Sequence, residues 1–384
     1  MSTLDRFSTS NARETRKLQD YSRLEQTIFA QSNVRDLKTI VVGAGALGNE
    51  VVKALGLLGV GRVTVVDSDR VEPSNLTRSF LFRYADYDGC NKATALVESA
   101  TPLFGGIEFS AIDAEIADVG FGRLANAGII FSCVDSDLAR LEIAYISTQL
   151  NLPVADAGLG GPNYAHGRVS WFPGRSGACF GCKLTPRKRR ELLTFWDATV
   201  RSCSEPTRDG GRPSTPTMAA VIGSLQVELG LRWLMEKQKE SVNFEVSLEG
   251  NPRSQFFRTH RSSACPFHDS AGESRVALPA PGATLDEILE SVEAPVGFTP
   301  CLVLDWPVCC RARCLDCRLE WAPMLRSAVL RRRPVCPSCG SRSILEQESI
   351  RTIDRNSPWG RQTPSALGLP EDHRYLVRFH RGDE

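Results

Sequence analysis

The segment Thr39–Asp67, TIVVGAGALGNEVVKALGLLGVGRVTVVD, decides the fold. Thr39–Val42 reads as a short buried strand, GAGALG (Gly43–Gly48) as a glycine-rich turn, and Asn49–Val60 repeats apolar residues at helical spacing. The β-branched run Val63, Val65 and Val66 then ends on Asp67. Strand, turn, helix and strand in that order predict the first unit of a parallel, doubly wound α/β sheet. Gly43 and Gly45 permit a tight turn and close backbone approach. Gly48 permits close helix packing, and the helix N-terminus favours phosphate. Asp67 falls where a carboxylate takes ribose hydroxyls. The pattern predicts a nucleotide site without separating NAD from ATP.

Outward from this unit, Asn91–Ala100 reads as a helix, Ile107–Asp113 and Gly128–Asp135 as strands, and Leu138–Asn151 as a helix. A short strand, Leu152–Gly161, runs into a glycine-rich loop. Beyond residue 160 His166–Gly174 reads as a strand of a less regular sheet. Residues 203–216 form a Gly-, Pro- and Ser-rich loop, and Thr217–Met235 is a well-patterned helix. The expected organisation is an N-terminal helical segment (1–38), a nucleotide domain (39–270), a linker (271–297) and a cysteine-rich unit (298–384). The last of these ends in a docking segment with a final strand.

The chain has 384 residues, 42% apolar and 24% charged, as an ordinary globular protein does. Lys and Arg total 46 against 45 Asp and Glu, a formal charge of +1, which gives no global case for nucleic-acid or membrane binding. The N-terminus lacks the apolar core of a signal peptide, and no apolar run reaches spanning length. A cytoplasmic location is expected, so the 13 cysteines need an account other than disulfides.

Past Asp67 come Asp69, Glu72, Asn75 and Arg78, a crowd of polar groups that a hydride-transfer enzyme does not need. Together with VVGAGALG, GCNKA and SCVDS, the run VVDSDRVEPSNLTRSFLF resembles the ATP-binding core of the ubiquitin-activating superfamily, which includes the ThiF- and MoeB-type bacterial adenylyltransferases. The resemblance spans roughly residues 21–270. It implies that Gly43, Gly45, Gly48, Asp67, Asp69, Asn75, Arg78 and Lys92 bind ATP and that Asp135 holds Mg2+. It also implies that Arg23, in YSRLE, enters the active site of a homodimer partner. Arg78 and Lys92 would stabilise charge at the reacting phosphate. The bland reading of these charges is a solvated surface. Arg140 is either a supporting phosphate ligand or a fold-stabilising residue.

Cys179 and Cys182 form one C-x-x-C, and Cys265 with His268 forms a C-x-x-H. The family commonly closes this lobe with zinc on two C-x-x-C pairs, so His268 is a departure, though imidazole is an acceptable fourth ligand. Cys314 and Cys317, then Cys336 and Cys339, make two knuckles that predict a zinc ribbon, giving two zinc ions per chain. Cys309 and Cys310 complicate that ligand assignment. Cys90 and Cys133 read as small buried residues. Cys203 matches the position where some relatives form a thioester, and is otherwise a bystander.

The function expected from the resemblance is ATP-dependent adenylation of the C-terminal glycine of a ubiquitin-like protein, followed by thioester formation on Cys203. A conjugating enzyme or a sulfur-transfer partner would receive the product. The alternatives are adenylation of a sulfur-carrier protein or of a short peptide, and a non-catalytic scaffold. A dehydrogenase ranks last, because no base–substrate constellation follows the glycine turn.

Overall fold

The computed structural model describes residues 19–84, 89–161, 163, 165–196, 214–268, 274–277, 280, 282–332, 334–370, 372–373 and 375–381. These residues form two compact units. The first is built from the chain up to Ala117, Leu124–Lys183 and the stretch ending at His268. The second takes Asp118–Arg123, the stretch that begins at Leu184, and the chain beyond His268.

The first unit is an eight-stranded sheet in the order β3-β2-β1-β4-β5-β6-β7-β8. Its strands are β1 Lys38–Val42, β2 Arg62–Val66, β3 Glu108–Ile112, β4 Ile129–Ser132, β5 Val154–Gly160, β6 His166–Phe172, β7 Ser241–Ser247 and β8 Arg253–Thr259. Strands β1 to β5 pair in parallel and β5 to β8 antiparallel. Strands β1, β2 and β4 are rich in buried Val and Ile because both faces are covered, whereas β3 at the edge is mostly half-buried. Helices α1 (Ala46–Leu58), α2 (Lys92–Ala100), α3 (Asp137–Leu150) and α5 (Pro216–Met235) cover them.

Val51, Val52 and Leu55 of α1 share one core with Ile222, Val227 and Leu231 of α5 and with Val63, Val65 and Phe131 of the sheet. Each side chain so buried contributes roughly 1.5–3 kcal/mol. Strand β6 is buried from Val169 to Phe172, while His166 and Arg168 near its start are only half-buried. Strand β8 ends the sheet with Arg253–Arg258 all exposed.

The order reverses between β1 and β4, since β2 and β3 lie to one side and β4 and β5 to the other. In open α/β sheets ligands bind outside the carboxyl ends of strands at such a switch point. The glycine turn leaves β1 at that point.

The second unit is a six-stranded antiparallel sheet organised by β10 (Phe298–Cys314). The other strands are β9 Ser274–Ala277, β11 Glu320–Trp321, β12 Leu325–Arg326, β13 Ile344–Asp354 and β14 Tyr375–Arg381. The chain's last strand lies between β9 and β10, so it is an internal part of this sheet. Helix α6 (Leu285–Glu290) starts on a capping box of Thr284 and Glu287. Its Leu285, Ile288 and Leu289 pack with Leu302, Ile353 and Tyr375. The unit also contains α4 (Pro186–Trp196) and α7 (Ser327–Arg332). Arg326 is buried and paired through Nε and Nη2 with both oxygens of Asp118. Among the described residues no helix is long and apolar enough to cross a membrane.

Candidate nucleotide site and metal centres

The glycine turn is shaped by what its neighbours exclude. Gly43 has φ +95°, and a Cβ there would lie 2.7 Å from the Cys133 carbonyl oxygen. The exits of β1 and β4 therefore touch through backbone. A Cβ on Gly48 would stand 2.0 Å from the Gly43 carbonyl oxygen. Gly48→Ala is accordingly expected to destabilise the chain by about 1–3 kcal/mol, read as a lower denaturant midpoint at constant slope. An unchanged midpoint would mean that the turn is looser than its geometry.

Helix α1 starts on Gly45 with no side-chain cap. By contrast α2, α3 and α5 are capped by Asn91, Ser136 and Thr215. An uncapped first turn at a switch point is a ready phosphate site. Asp67 lies beside it, accepting the Ala44 N–H at 2.6 Å and the Asp69 N–H at 2.8 Å. Burial pushes its carboxyl above the ordinary carboxylate range, against the pull of those two donors. Ribose hydroxyls would supply the further donors that a desolvated carboxylate lacks.

Lys92 opens α2, half-buried, with Nζ 3.1 Å from Asp69. Its helix is fastened by Asn91, whose amide reaches the Asp67 carbonyl at 2.8 Å and the Asp113 carboxylate at 2.9 Å. Asn75 is buried, and its side-chain oxygen accepts the Glu72 N–H, closing the turn that carries Arg78. Arg78 is half-buried, with Nη1 3.4 Å from the Ser214 hydroxyl. Asp135 is exposed on the loop leaving β4. The structure thus joins Asp67, Asp69 and Lys92 by contact, and sets Asp135 on the neighbouring strand exit. Arg23 is exposed on the N-terminal segment. Cys203 lies outside the described residues.

Arg140 resolves toward the fold. Its Nε bonds Asp156 at 3.0 Å, and its Nη2 bonds the carbonyls of Val134 and Ala157. A buried guanidinium so occupied ties the loop that carries Asp135 to β5. Two asparagines and a glutamine do comparable work that sequence reading missed. Asn49, fully buried, donates to the Ala44 and Gly45 carbonyls and accepts the Leu81 N–H, joining the glycine turn to the segment after Arg78. Gln226 bonds the Ser132 and Ala155 carbonyls. For Asn91 a signal existed: an asparagine directly before a helix is a cap.

Two sulfur-rich clusters bring four ligand atoms each within 4.8 Å of one another: Cys179, Cys182, Cys265 and His268, and Cys314, Cys317, Cys336 and Cys339. In the first, sulfur–sulfur distances are 3.9 and 3.6 Å, and the Cys182 sulfur lies 3.3 Å from His268 Nε2. In the second they are 3.7 and 3.5 Å. Tetrahedral zinc with bonds of about 2.3 Å needs ligand edges of about 3.8 Å, so both donor sets fit that ion. Cys309 and Cys310 stand apart, both in the interior of β10. Burial pushes the Cys309 thiol up to about 12. Cys133 is buried against Gln226, while Cys90 is only half-buried.

The model of the ThiF family matches residues 15–267. The chain belongs to the ThiF family. Among curated relatives it is 31% identical over 185 residues to a ubiquitin-activating enzyme E1-like protein of Saccharomyces cerevisiae, covering 46% of this chain and 27% of that one. It is 32% identical over 162 residues to a NEDD8-activating enzyme E1 catalytic subunit of Caenorhabditis elegans, covering 41% and 37%. The chain therefore spans well under two thirds of these relatives. A solved structure of E. coli MccB shares the fold at a TM-score of 0.50 and 18% identity, over 64% of this chain and 73% of that one.

Proposed function

We propose that this family member uses ATP to adenylate the terminal carboxylate of a peptide or small protein. The observation that carries the reading is the uncapped start of α1 at the switch point, with Asp67 bonded to the Ala44 N–H of its turn, Lys92 paired with the adjacent Asp69, and Asn49 of α1 bonded to Leu81 just after Arg78. Those residues suit a triphosphate better than a dinucleotide, because they supply cations beside the phosphate cradle. Asp67 would hold ribose, and the α1 N-terminus and Asn75–Arg78 segment would hold phosphates. A carboxylate oxygen attacks the α-phosphorus, forming an acyl-adenylate as the bond to the β-phosphate oxygen breaks and pyrophosphate leaves. Arg78 and Lys92 would stabilise the charge that accumulates there. Mg2+ held by Asp135 would supply neutralisation of the leaving phosphates.

Both a ubiquitin-like or sulfur-carrier protein ending in glycine and a shorter peptide meet this chemistry. The curated relatives match over well under two thirds of their own length and the shared fold is neutral, so neither is preferred. What both have in common is a free C-terminal carboxylate. Transfer to Cys203 would be a later step and Arg23 a residue given to a dimer partner; both are separable from adenylation. The two clusters would each hold a structural zinc. The test is ATP–pyrophosphate exchange that requires added polypeptide with a free C-terminus. Exchange lost when that terminus is amidated supports the reading, and exchange indifferent to amidation refutes it.

A further inference from the structure

We infer that Asn91 and Asp113 are a positioning pair that sets the ribose selectivity of the nucleotide site, an inference that rests on the Asp67–ribose contact proposed above. Both act through Asp67.

The first argument is how Asp67 is held. Its carboxylate accepts the Ala44 and Asp69 N–H groups, and its own N–H donates to the Ile112 carbonyl at 3.2 Å. Its carbonyl accepts from the Asn91 amide at 2.8 Å. The exit of β2 is thus gripped on one side by the end of β3 and on the other by the residue that opens α2. An acid that selects hydroxyls needs its oxygens held to within about 0.5 Å, and groups behind it must do the holding.

The bonding of Asn91 supplies the second. The residue is only 4% exposed. Its oxygen accepts the Thr94 N–H at 3.1 Å and caps α2, so its NH2 points the other way. There three acceptors share the two amide hydrogens: the Asp67 carbonyl at 2.8 Å, the Asp69 carbonyl at 3.1 Å and an Asp113 oxygen at 2.9 Å. A cap needs the oxygen alone, which Asp, Ser or Thr supplies equally well. What asparagine adds is the amide, and the amide is directed at the loop that carries Asp67 and Asp69. The backbone repeats the link, since the Lys92 N–H donates to the same Asp69 carbonyl at 2.9 Å.

Asp113 completes the pair. It follows Ile112 directly, and its second oxygen accepts from Arg70 Nη1 at 2.7 Å. Arg70 and Asn91 also form an antiparallel bridge. One carboxylate therefore ties the exit of β3 to the loop after β2 and to the start of α2. The side chains of Arg70 and Asp113 are 54% and 43% exposed, so their ion pair adds little to stability. Its effect is geometric: it keeps an Asp113 oxygen aimed at Asn91.

The experiment is equilibrium binding of ATP and of 2′,3′-dideoxy-ATP to the full chain, with no polypeptide added. Wild type should prefer ATP by about tenfold or more, as a site built for hydroxyls rejects the analogue that lacks them. Asn91→Asp keeps the cap oxygen and removes the amide, and it should cut that preference at least about fivefold. A merely structural role would weaken both nucleotides alike and leave their ratio unchanged. Asn91→Asp combined with Asp113→Asn restores a hydrogen bond between the two positions but not the bond to the Asp67 carbonyl. That double variant should regain the melting temperature lost in Asn91→Asp without regaining the preference. Asp113→Ala, at an exposed site, should lower the preference about threefold, whereas Asp113→Asn keeps an acceptor for Asn91 and should hold it. These two decide the matter if Asn91→Asp fails to fold. A wild-type preference that survives both Asn91→Asp and Asp113→Ala, or that the double variant restores, would overturn the positioning role and leave the ribose contact standing. No preference in wild type would overturn both. Adenylation is read separately by pyrophosphate exchange, whose absence beside an intact, Asn91-dependent preference would sink that reading alone.

Discussion

Asp135→Ala is expected to lower ATP–pyrophosphate exchange roughly 100-fold or more, with unfolding free energy changed by no more than about 0.5 kcal/mol. The two halves of this expectation have different causes. Asp135 is exposed on the β4 exit loop, where truncating a side chain removes no packing. Its place next to the β1 exit is fixed by others: Arg140 bonds the Val134 carbonyl, and Gly43 lies against the Cys133 backbone. The loop should therefore keep its path in the variant while losing its anionic anchor. Asp135→Asn should fall nearly as far, since the amide keeps the shape and loses the charge. If Asp135→Asn retained full exchange, a charge at 135 would have no part in the chemistry.

Removing zinc is expected to have the second largest effect. Elemental analysis should give about two zinc ions per chain, one for each donor set. Structural zinc contributes on the order of 10 kcal/mol in finger peptides, and the ribbon here has little else to hold it. Near the knuckles the buried apolar cluster among the described residues is Cys309, Ala312 and Leu330, with half-buried Trp321, Leu325 and Ile344 against it, whereas the larger core of that unit lies around Leu302, Ile353 and Tyr375. A strong chelator or Cys336→Ser should therefore release amide protection first at the far end of the β10–β13 pairing, where Arg313 meets Leu345 and Cys314 meets Ile344. Protection around Leu302 should persist longer. Uniform protection after complete zinc removal would show that the ribbon needs no metal.

The sequence carried the parallel half of the sheet because its signals are local. The Ile40–Val42 and Val63–Val66 runs, the glycine turn and the helical spacing between them each act within a few residues. The same holds for the cysteine pairs, whose spacing named both donor sets that the structure brings together. What was illegible depends on long-range contact. Nothing in the order of residues shows that Asn49 bonds the Leu81 N–H, or that Arg140 faces Asp156 rather than phosphate. Nor does it show that Asp118 leaves the first unit's sequence to pair with Arg326 in the second unit, 208 residues later. Likewise the final strand read as a docking tail, because alternation alone does not reveal that β9 and β10 flank it.

We propose that a carboxylate, and not a hydride donor, is what this nucleotide site activates. Its most direct test is isotope exchange between pyrophosphate and ATP in the presence of Mg2+, using the full chain and a pool of polypeptides with free C-termini. Exchange should rise with the pool, disappear when its C-termini are amidated, and be lost in Asp135→Ala. Reduction of NAD by the same protein, with no exchange for any free C-terminus offered, would contradict it.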